Sequence, residues 1–540
     1  MNDSDAQQPG LKREIGPIGL TALAVSGIIG SGWLFAPMLA AQLAGPAAIV
    51  AWIIGSLAML LLALTFAEIS AMFPLPGGIA GIPQVTHGNV VSIAMGWTAW
   101  LGYLLTAPVE VEATLRYLGR YAPWIFEGGN FESLSWAGSG AAMFMMVLFV
   151  ILNALGVKLF TAINTSITWI KVIVPLIITA MFVASSFDTA NFTAPDGFAP
   201  YGVGGILAAV SSGGVILSMI GFRHAIDMAG EVRNPGRILP LSMIGAMLIC
   251  LLLYLGLQIA FIGALQPGEL ANGWAGLKFT HPGGPLASIA TALGLLWLVT
   301  LMNSTAVISP FGSALVAVGA NARLVLAMTG TGFMPSIFAR LSRFGVPLNA
   351  LLLNLLIGWL AVAFLDFSEI VAIHSSLVVL SFIVGPIAVV ALRSLAPDYK
   401  RPFKLPVVGL IGYVTFILAT LIVYWSGWQT IRILGLTMVI GAVIFAFRMR
   451  DMNRDDLDLR QAAWLVPYFA GIGLLSYLGS FGGIKVLSQG YDIAACAVFC
   501  AIVYRYALKS ALSKAQFEQQ TDEILVRIGY DKSVLRELEV

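Results

Sequence analysis

Long apolar runs alternate with short polar joints along nearly the whole chain. A bilayer-spanning helix needs ~20 mostly apolar residues. On that measure the pattern predicts fourteen spans, the first seven near residues 17–40, 46–73, 90–108, 137–156, 162–184, 203–230 and 239–265. Seven more follow near 286–318, 347–366, 368–392, 406–427, 431–447, 462–481 and 490–508. The runs do not alternate apolar and polar residues, as strands of a membrane barrel would. A spanning helix satisfies its own backbone groups, so an all-α polytopic membrane protein is predicted. Composition hardens this reading. Of 540 residues, 59% are hydrophobic and 10% charged, where soluble chains run at about 45–50% and about 25%. A soluble enzyme, a disordered chain and a nucleic-acid binder are excluded, and the lipid bilayer is the expected surrounding. The net charge of +2 selects no partner. Cys250, Cys496 and Cys500 all lie inside apolar runs and read as packing residues.

The basic residues orient the chain. Lys and Arg concentrate in cytoplasmic joints of membrane proteins. With the N-terminus cytoplasmic, most of them fall inside, from Lys12, Arg13 and Lys158 to the cluster between Arg448 and Arg460. Arg116, Arg120, Lys278, Arg432 and Lys485 fall outside, while Lys171 and Arg223 lie within spans. This bias predicts an even span count with both termini cytoplasmic; the expected location is the plasma (inner) membrane. The polar first fourteen residues show no secretory signal pattern. Residues 1–16 read as an N-terminal tail, and residues 509–540 as a C-terminal tail able to form one amphipathic helix.

Two spans carry glycine where a helix should run smoothly. The first holds Ser26-Gly27-Ile28-Ile29-Gly30-Ser31-Gly32, and the sixth holds Ser211-Ser212-Gly213-Gly214 and then Gly221-Phe222. Glycine destabilises a helix by about 1 kcal/mol relative to alanine, and an unwound stretch inside a membrane is tolerated where it lines a cavity. Interrupted spans at corresponding places in two halves mark a transporter binding site at the bilayer midplane. The alternative is that these glycines serve close helix packing. If the first span unwinds, the half-helix after the break exposes free N–H groups and a positive dipole end, which bind a carboxylate. Ser31 and Gly32 are the candidates. A break in span 6 frees carbonyls near Ser218, Met219 and Ile220, which suit an ammonium group. A ligand with both groups is an α-amino acid.

Four stretches then become recognisable: GIIGSGWLFAP at 27–37, GFRHAIDMAGEVRNPGRILP at 221–240, NARLVLAMTGTGFMPSIFARLSRFGVPLNALLL at 321–353 and PDYKRPFKLP at 397–406. In this order they resemble the amino acid–polyamine–organocation superfamily of permeases, over roughly residues 12–405. The resemblance implies a leucine-transporter-like five-plus-five inverted repeat over residues 17–392. About four additional C-terminal helices, spans 11–14, would follow over 393–508 and could mediate homodimer contacts. It also implies that the N–H groups of Gly30, Ser31 and Gly32 receive a substrate carboxylate. Carbonyls of Ser218, Met219 and Gly221 would receive the ammonium, and Phe222 would sit at the occlusion point. Sodium-coupled relatives of the fold hold a cation between spans 1 and 8. Several proton-coupled members place a span 5 lysine there, which Lys171 resembles.

A lysine in mid-span is costly and faces protein or a cavity. Charged, Lys171 would donate hydrogen bonds to span 1 carbonyls; neutral, it would release them, which couples a proton to alternating access. Sodium is the weaker alternative, with Ser304, Thr305, Ser309 and Ser313 as oxygen ligands; a permanently charged pin is another. No cofactor is expected beyond the coupling proton, and no metal site. Arg223 stands where many relatives carry an acidic residue. Its guanidinium would neutralise an acidic substrate side chain, as in the aspartate–proton symporter branch that this position resembles; the alternative is an ion pair with Asp227 at i+4. Glu110 and Glu112 cannot both face one cavity, being two residues apart on a helix. Glu110 is the cavity candidate and second proton site, while Glu112 pairs with Arg116. Glu68 is expected to pair or cap structurally. His374 reads as packed or hydrogen-bonded.

The expected function is secondary active transport, proton-coupled symport of aspartate or glutamate. A neutral amino acid permease or an exchanger is the alternative, and a non-transporting sensor a lesser one. No phosphate loop and no catalytic constellation argue for an ATP-driven pump or an enzyme.

Overall fold

The computed structural model describes residues 15–527 apart from 74–77, 120, 130–132, 156–157, 194–195, 228–231, 278, 280–283, 331, 343–345 and 452–456. Among the described residues there are helices and isolated bridges but no strands. The first span is two helices, α1 (Pro17–Ile28) and α2 (Gly32–Ala44), followed by α3 (Ala48–Met72). Next come α4 (Gly78–Leu104), α5 (Thr106–Leu118), α6 (Trp136–Leu155) and α7 (Lys158–Ser185). The sixth predicted span is α8 (Gly202–Ser212), a 3₁₀ helix (Leu217–Phe222) and α9 (Arg223–Asp227). The chain continues through α10 (Pro235–Ala264), α11 (Gly284–Ala292), α12 (Leu296–Gly330), α13 (Leu348–Phe364), α14 (Phe367–Phe382) and α15 (Val384–Leu395). The C-terminal part holds α16 (Val408–Trp425), α17 (Gly427–Arg448), α18 (Leu459–Ala462), α19 (Leu465–Leu478), α20 (Tyr491–Lys509) and α21 (Lys514–Arg527).

Among the described residues, ten helical segments are long and apolar enough to cross a membrane, or eleven with the bent pair Gly202–Ser212 and Leu217–Ile226 counted as one span. Pro17–Ile28, Trp169–Ser185 and Leu348–Phe364 are shorter apolar helices. Helices run through every predicted span, with three large differences at the ends. The third span is predicted to start near 90, yet α4 begins at Gly78 and is kinked at Gly88, φ 81°, just before that point. The third was predicted to stop near 108, yet α5 continues to Leu118. Its last turns carry Glu110, Glu112 and Thr114, all buried, and a polarity pattern reads buried polar residues as a helix end. The eighth was predicted to stop near 318, yet α12 runs to Gly330, because Asn321 and Arg323 end an apolar run without ending a helix.

Pairings of α3 with α10, α5 with α12, α4 with α14 and α1 with α10 are the most extensive. They place the break between α1 and α2 at the centre, enclosed by α5, α7, α10 and α12. Cys250, Cys496 and Cys500 are free and buried. The tail helix α21 docks on the start of α4. Just before it, the Leu512 N–H donates to the Thr86 carbonyl at 2.9 Å. On α21, Gln520 accepts from Gln84 at 3.3 Å and Phe517 packs on Phe73 and Tyr399.

Candidate transport site

The first break follows from its glycines. Ile29 leaves the helix with φ −84° and ψ 86°, and the Gly30 N–H turns back to the Ile28 carbonyl at 3.1 Å. The helix restarts at Gly32, with the Leu34 N–H on the Ser31 carbonyl at 2.9 Å. A helix start leaves its first N–H groups without intrahelical partners and carries the positive dipole end. This is the place expected to receive a substrate carboxylate, and a carboxylate of the chain itself stands there. The Ser31 N–H donates to Glu110 Oε2 at 2.9 Å. Glycine at 30 is what admits it, since a Cβ there would overlap Glu110 Oε1.

The carbonyl end of the same break is held from three other helices. Lys171 of α7, 1% exposed, places Nζ 3.2 Å from the Ser26 carbonyl and 3.0 Å from Ser313 Oγ. Tyr254 of α10 donates to the Ile28 carbonyl at 3.3 Å, with its ring stacked on Trp52 at 4.8 Å. Ser309 of α12 donates to the Gly30 carbonyl at 3.2 Å. Lys171 therefore bridges spans 1 and 8. Ser304 and Thr305, considered as sodium ligands, donate instead to their own helix, to the Thr300 and Leu301 carbonyls.

The second break lies at 213–216. Gly214, with φ 82°, adopts a left-handed conformation that glycine takes without penalty. Residues 217–222 then continue as a 3₁₀ helix, so the Ser218, Met219 and Gly221 carbonyls lie one turn beyond the break. Poorer hydrogen-bond geometry is intrinsic to that helix type. The two breaks touch backbone to backbone: a Cβ on Gly221 would overlap the Gly27 carbonyl, and one on Gly32 would overlap Ser218 Oγ. Close packing and helix breaking, weighed as alternatives, are both present at these glycines.

Phe222 is fully buried and packs on Phe382 at 5.2 Å between ring centroids. The Arg223 guanidinium lies over the Tyr103 ring at 3.4 Å, a cation–π contact. The side chain of Asp227 lies outside the described residues. Glu112 does pair with Arg116, at 3.8 Å, but in a buried setting where Arg116 also stacks on Phe367. His374 is hydrogen-bonded to Thr106 at 2.9 Å. The structure thus gathers Gly30, Ser31, Gly32, Ser218, Gly221, Glu110 and Lys171 around the crossing. Tyr254 and Tyr103 were missed in the sequence. A lone tyrosine in the aliphatic run CLLLYLGLQ was the available signal for the first.

Two broken helices that cross inside an all-helical membrane bundle, with a buried carboxylate and a buried lysine held at the first break, define a carrier-like site. The description "Amino acid permease" matches residues 15–445, and the chain belongs to that family. It is 33% identical over 510 residues to the glutamate/serine transporter AimA of Bacillus subtilis (strain 168), covering 93% of this chain and 94% of the relative. It is also 33% identical over 524 residues to the aspartate-proton symporter of the same organism, covering 95% and 99%. Identity to the branched-chain amino acid permease BcaP, again from that organism, is 25% over 455 residues, covering 82% and 94%.

Proposed function

We propose that this protein is a secondary active transporter that carries an acidic amino acid, aspartate or glutamate, together with a proton by alternating access. The observation that carries this reading is the Ser31 N–H, which holds the Glu110 carboxylate at 2.9 Å. The backbone site is built for a carboxylate and binds one already. A substrate carboxylate arriving at Ser31 and Gly32 meets the charge of Glu110. Like charges on one site disfavour double ionisation, so Glu110 takes up a proton or withdraws as substrate enters. The substrate ammonium rests on carbonyls of Ser218, Met219 and Gly221, and Phe222 closes the site. Arg223 turns from Tyr103 to meet the acidic side chain. Lys171 holds the other end of the break at Ser26, and its deprotonation frees span 1 to move.

This reading includes fourteen spans with both termini cytoplasmic in the inner membrane. The transport core is residues 17–392, two inverted repeats of five spans, and residues 393–508 supply four accessory spans. Breaks in spans related by a shift of five support the repeat, and the basic joints support the orientation. The names of the two relatives at 33% identity support the substrate class and the proton. A neutral amino acid permease or exchanger is the second reading. It is favoured by the cation–π contact of Arg223 with Tyr103, which gives the guanidinium a partner without substrate.

The test is uptake of labelled aspartate, glutamate, serine, alanine and arginine by proteoliposomes under an inward proton gradient. Gradient-driven entry of aspartate or glutamate is expected. Failure of both to enter or compete overturns the acidic substrate, and binding without counterflow would indicate a sensor.

A further inference from the structure

Tyr103, whose ring supports Arg223, also lines a cavity enclosed by the α4–α5 segment, α6, α12 and α13. The wall is largely aliphatic, and no charged side chain belongs to it. Its polar members are the Tyr103 hydroxyl and two amides, Asn321 of α12 and Asn354 of α13. Both amides are more than nine-tenths buried. Asn354 Oδ1 accepts a hydrogen bond from Trp100 Nε1 at 2.8 Å. That bond fixes which way the amide faces, because an indole nitrogen is a donor only. Asn354 Nδ2 is left without a protein partner, as are both Nδ2 and Oδ1 of Asn321. Buried polar atoms are normally hydrogen-bonded, and each one left unpaired carries its full desolvation cost.

We propose that this cavity is a binding site for water, held between the Asn321 and Asn354 amides and tying α12 to α13. Size and chemistry both select this occupant. The space open to water centres is about 20 Å³, and a buried water needs about 10–15 Å³ by that measure and two to four polar partners. One water accepts from Asn354 Nδ2 and donates to Asn321 Oδ1, and Asn321 Nδ2 donates to the same or a second molecule. Two amides, one phenol hydroxyl and no carboxylate disfavour a metal cation; an uncharged wall disfavours an anion. The bridge has a structural consequence for the site already described. Ser309 and Ser313, which meet the Gly30 carbonyl and Lys171, lie on the same helix as Asn321. Fixing α12 against α13 holds those two hydroxyls in register.

The test combines a high-resolution structure of the full chain with a double-mutant cycle. The map is expected to show compact density within about 2.7–3.2 Å of both amides, absent in Asn321→Leu. Thermal unfolding of the purified protein is expected to show a lower Tm for Asn321→Leu and for Asn354→Leu. The double variant is expected to fall no further than the worse single, because losing the shared water removes the benefit of both amides at once. Asn321→Ser, which keeps one hydrogen bond to the water, should retain the density and covers the case in which leucine prevents folding. A map that resolves other buried waters but shows none here overturns the proposal. So do additive losses in Tm, or elongated density from a lipid or detergent tail.

Discussion

Two carboxylates on neighbouring spans, Glu68 and Glu110, are both deeply buried, at 2% and 6% exposed, and are held in opposite ways. Glu68 on α3 is held by several fixed donors. Arg393 grips it with two teeth at 2.8 and 2.9 Å, the Leu405 N–H donates to it at 2.7 Å, and Arg401 lies 3.7 Å away. Glu110 on α5 accepts one backbone N–H, from Ser31 at a broken helix, with the Lys171 amine across the same break. A carboxylate held by three hydrogen bonds from fixed donors pins elements together; here it ties α3 to the end of α15 and to the joint at 397–406. A carboxylate held by a single N–H at a helix end is exchangeable, since any other carboxylate satisfies the same donor.

The largest expected effect breaks the Glu68–Arg393 pair. Glu68→Ala leaves Arg393 only the Leu405 carbonyl; removing one member of a fully buried pair costs about 3–5 kcal/mol, and the partly exposed Arg393 places this loss toward the lower end or below it. Thermal unfolding in detergent should show a destabilised protein. Wild-type stability would make Glu68 no different from Glu110. Next come Glu110→Gln and Lys171→Ala, each expected to fold normally and to lose gradient-driven uptake while retaining counterflow. Uptake that keeps its dependence on the pH gradient in either variant removes that residue from coupling. Arg223→Ala should raise KM for aspartate and glutamate about tenfold or more, as a charged hydrogen bond contributes about 1.5–3 kcal/mol, with little change for serine or alanine. Equal shifts would assign Arg223 to the Tyr103 contact alone. The smallest effect is expected from Gly30→Ala. Its methyl group meets the far end of the flexible Glu110 side chain, so the fold should survive, with uptake lowered a few-fold and substrate affinity altered. An unchanged affinity would mean that Glu110 does not share the carboxylate site.

Much of this was readable along the chain, and particular residues show where reading stopped. The break at Gly30–Ser31 and the place of the second near Gly214 were marked by local glycine spacing. The Glu112–Arg116 pair followed from i,i+4 spacing on one helix. Glu68 was readable as a structural residue, but its partner Arg393 lies 325 positions away. Glu110 was identified as a cavity residue, while its bond to the N–H expected for substrate was not foreseen. The end of α5 lies beyond the expected one because its buried Glu110, Glu112 and Thr114 look like solvated residues when neighbours are unknown; α12 runs on because Asn321 and Arg323 end its apolar run, not its helix.

The sequence by itself determined that this is a helical membrane protein, which of its helices carry breaks, and which few charges must sit inside the bilayer. Those properties depend on run length and on spacing within one helix, which are local. Tertiary structure alone decided what each interior group touches. Glu110 reaches Ser31 across 79 positions, Lys171 reaches Ser26 across 145, and Tyr254 reaches Ile28 across 226. Such contacts depend on how helices distant in sequence pack and rotate about their axes, and no single helix's pattern contains that information.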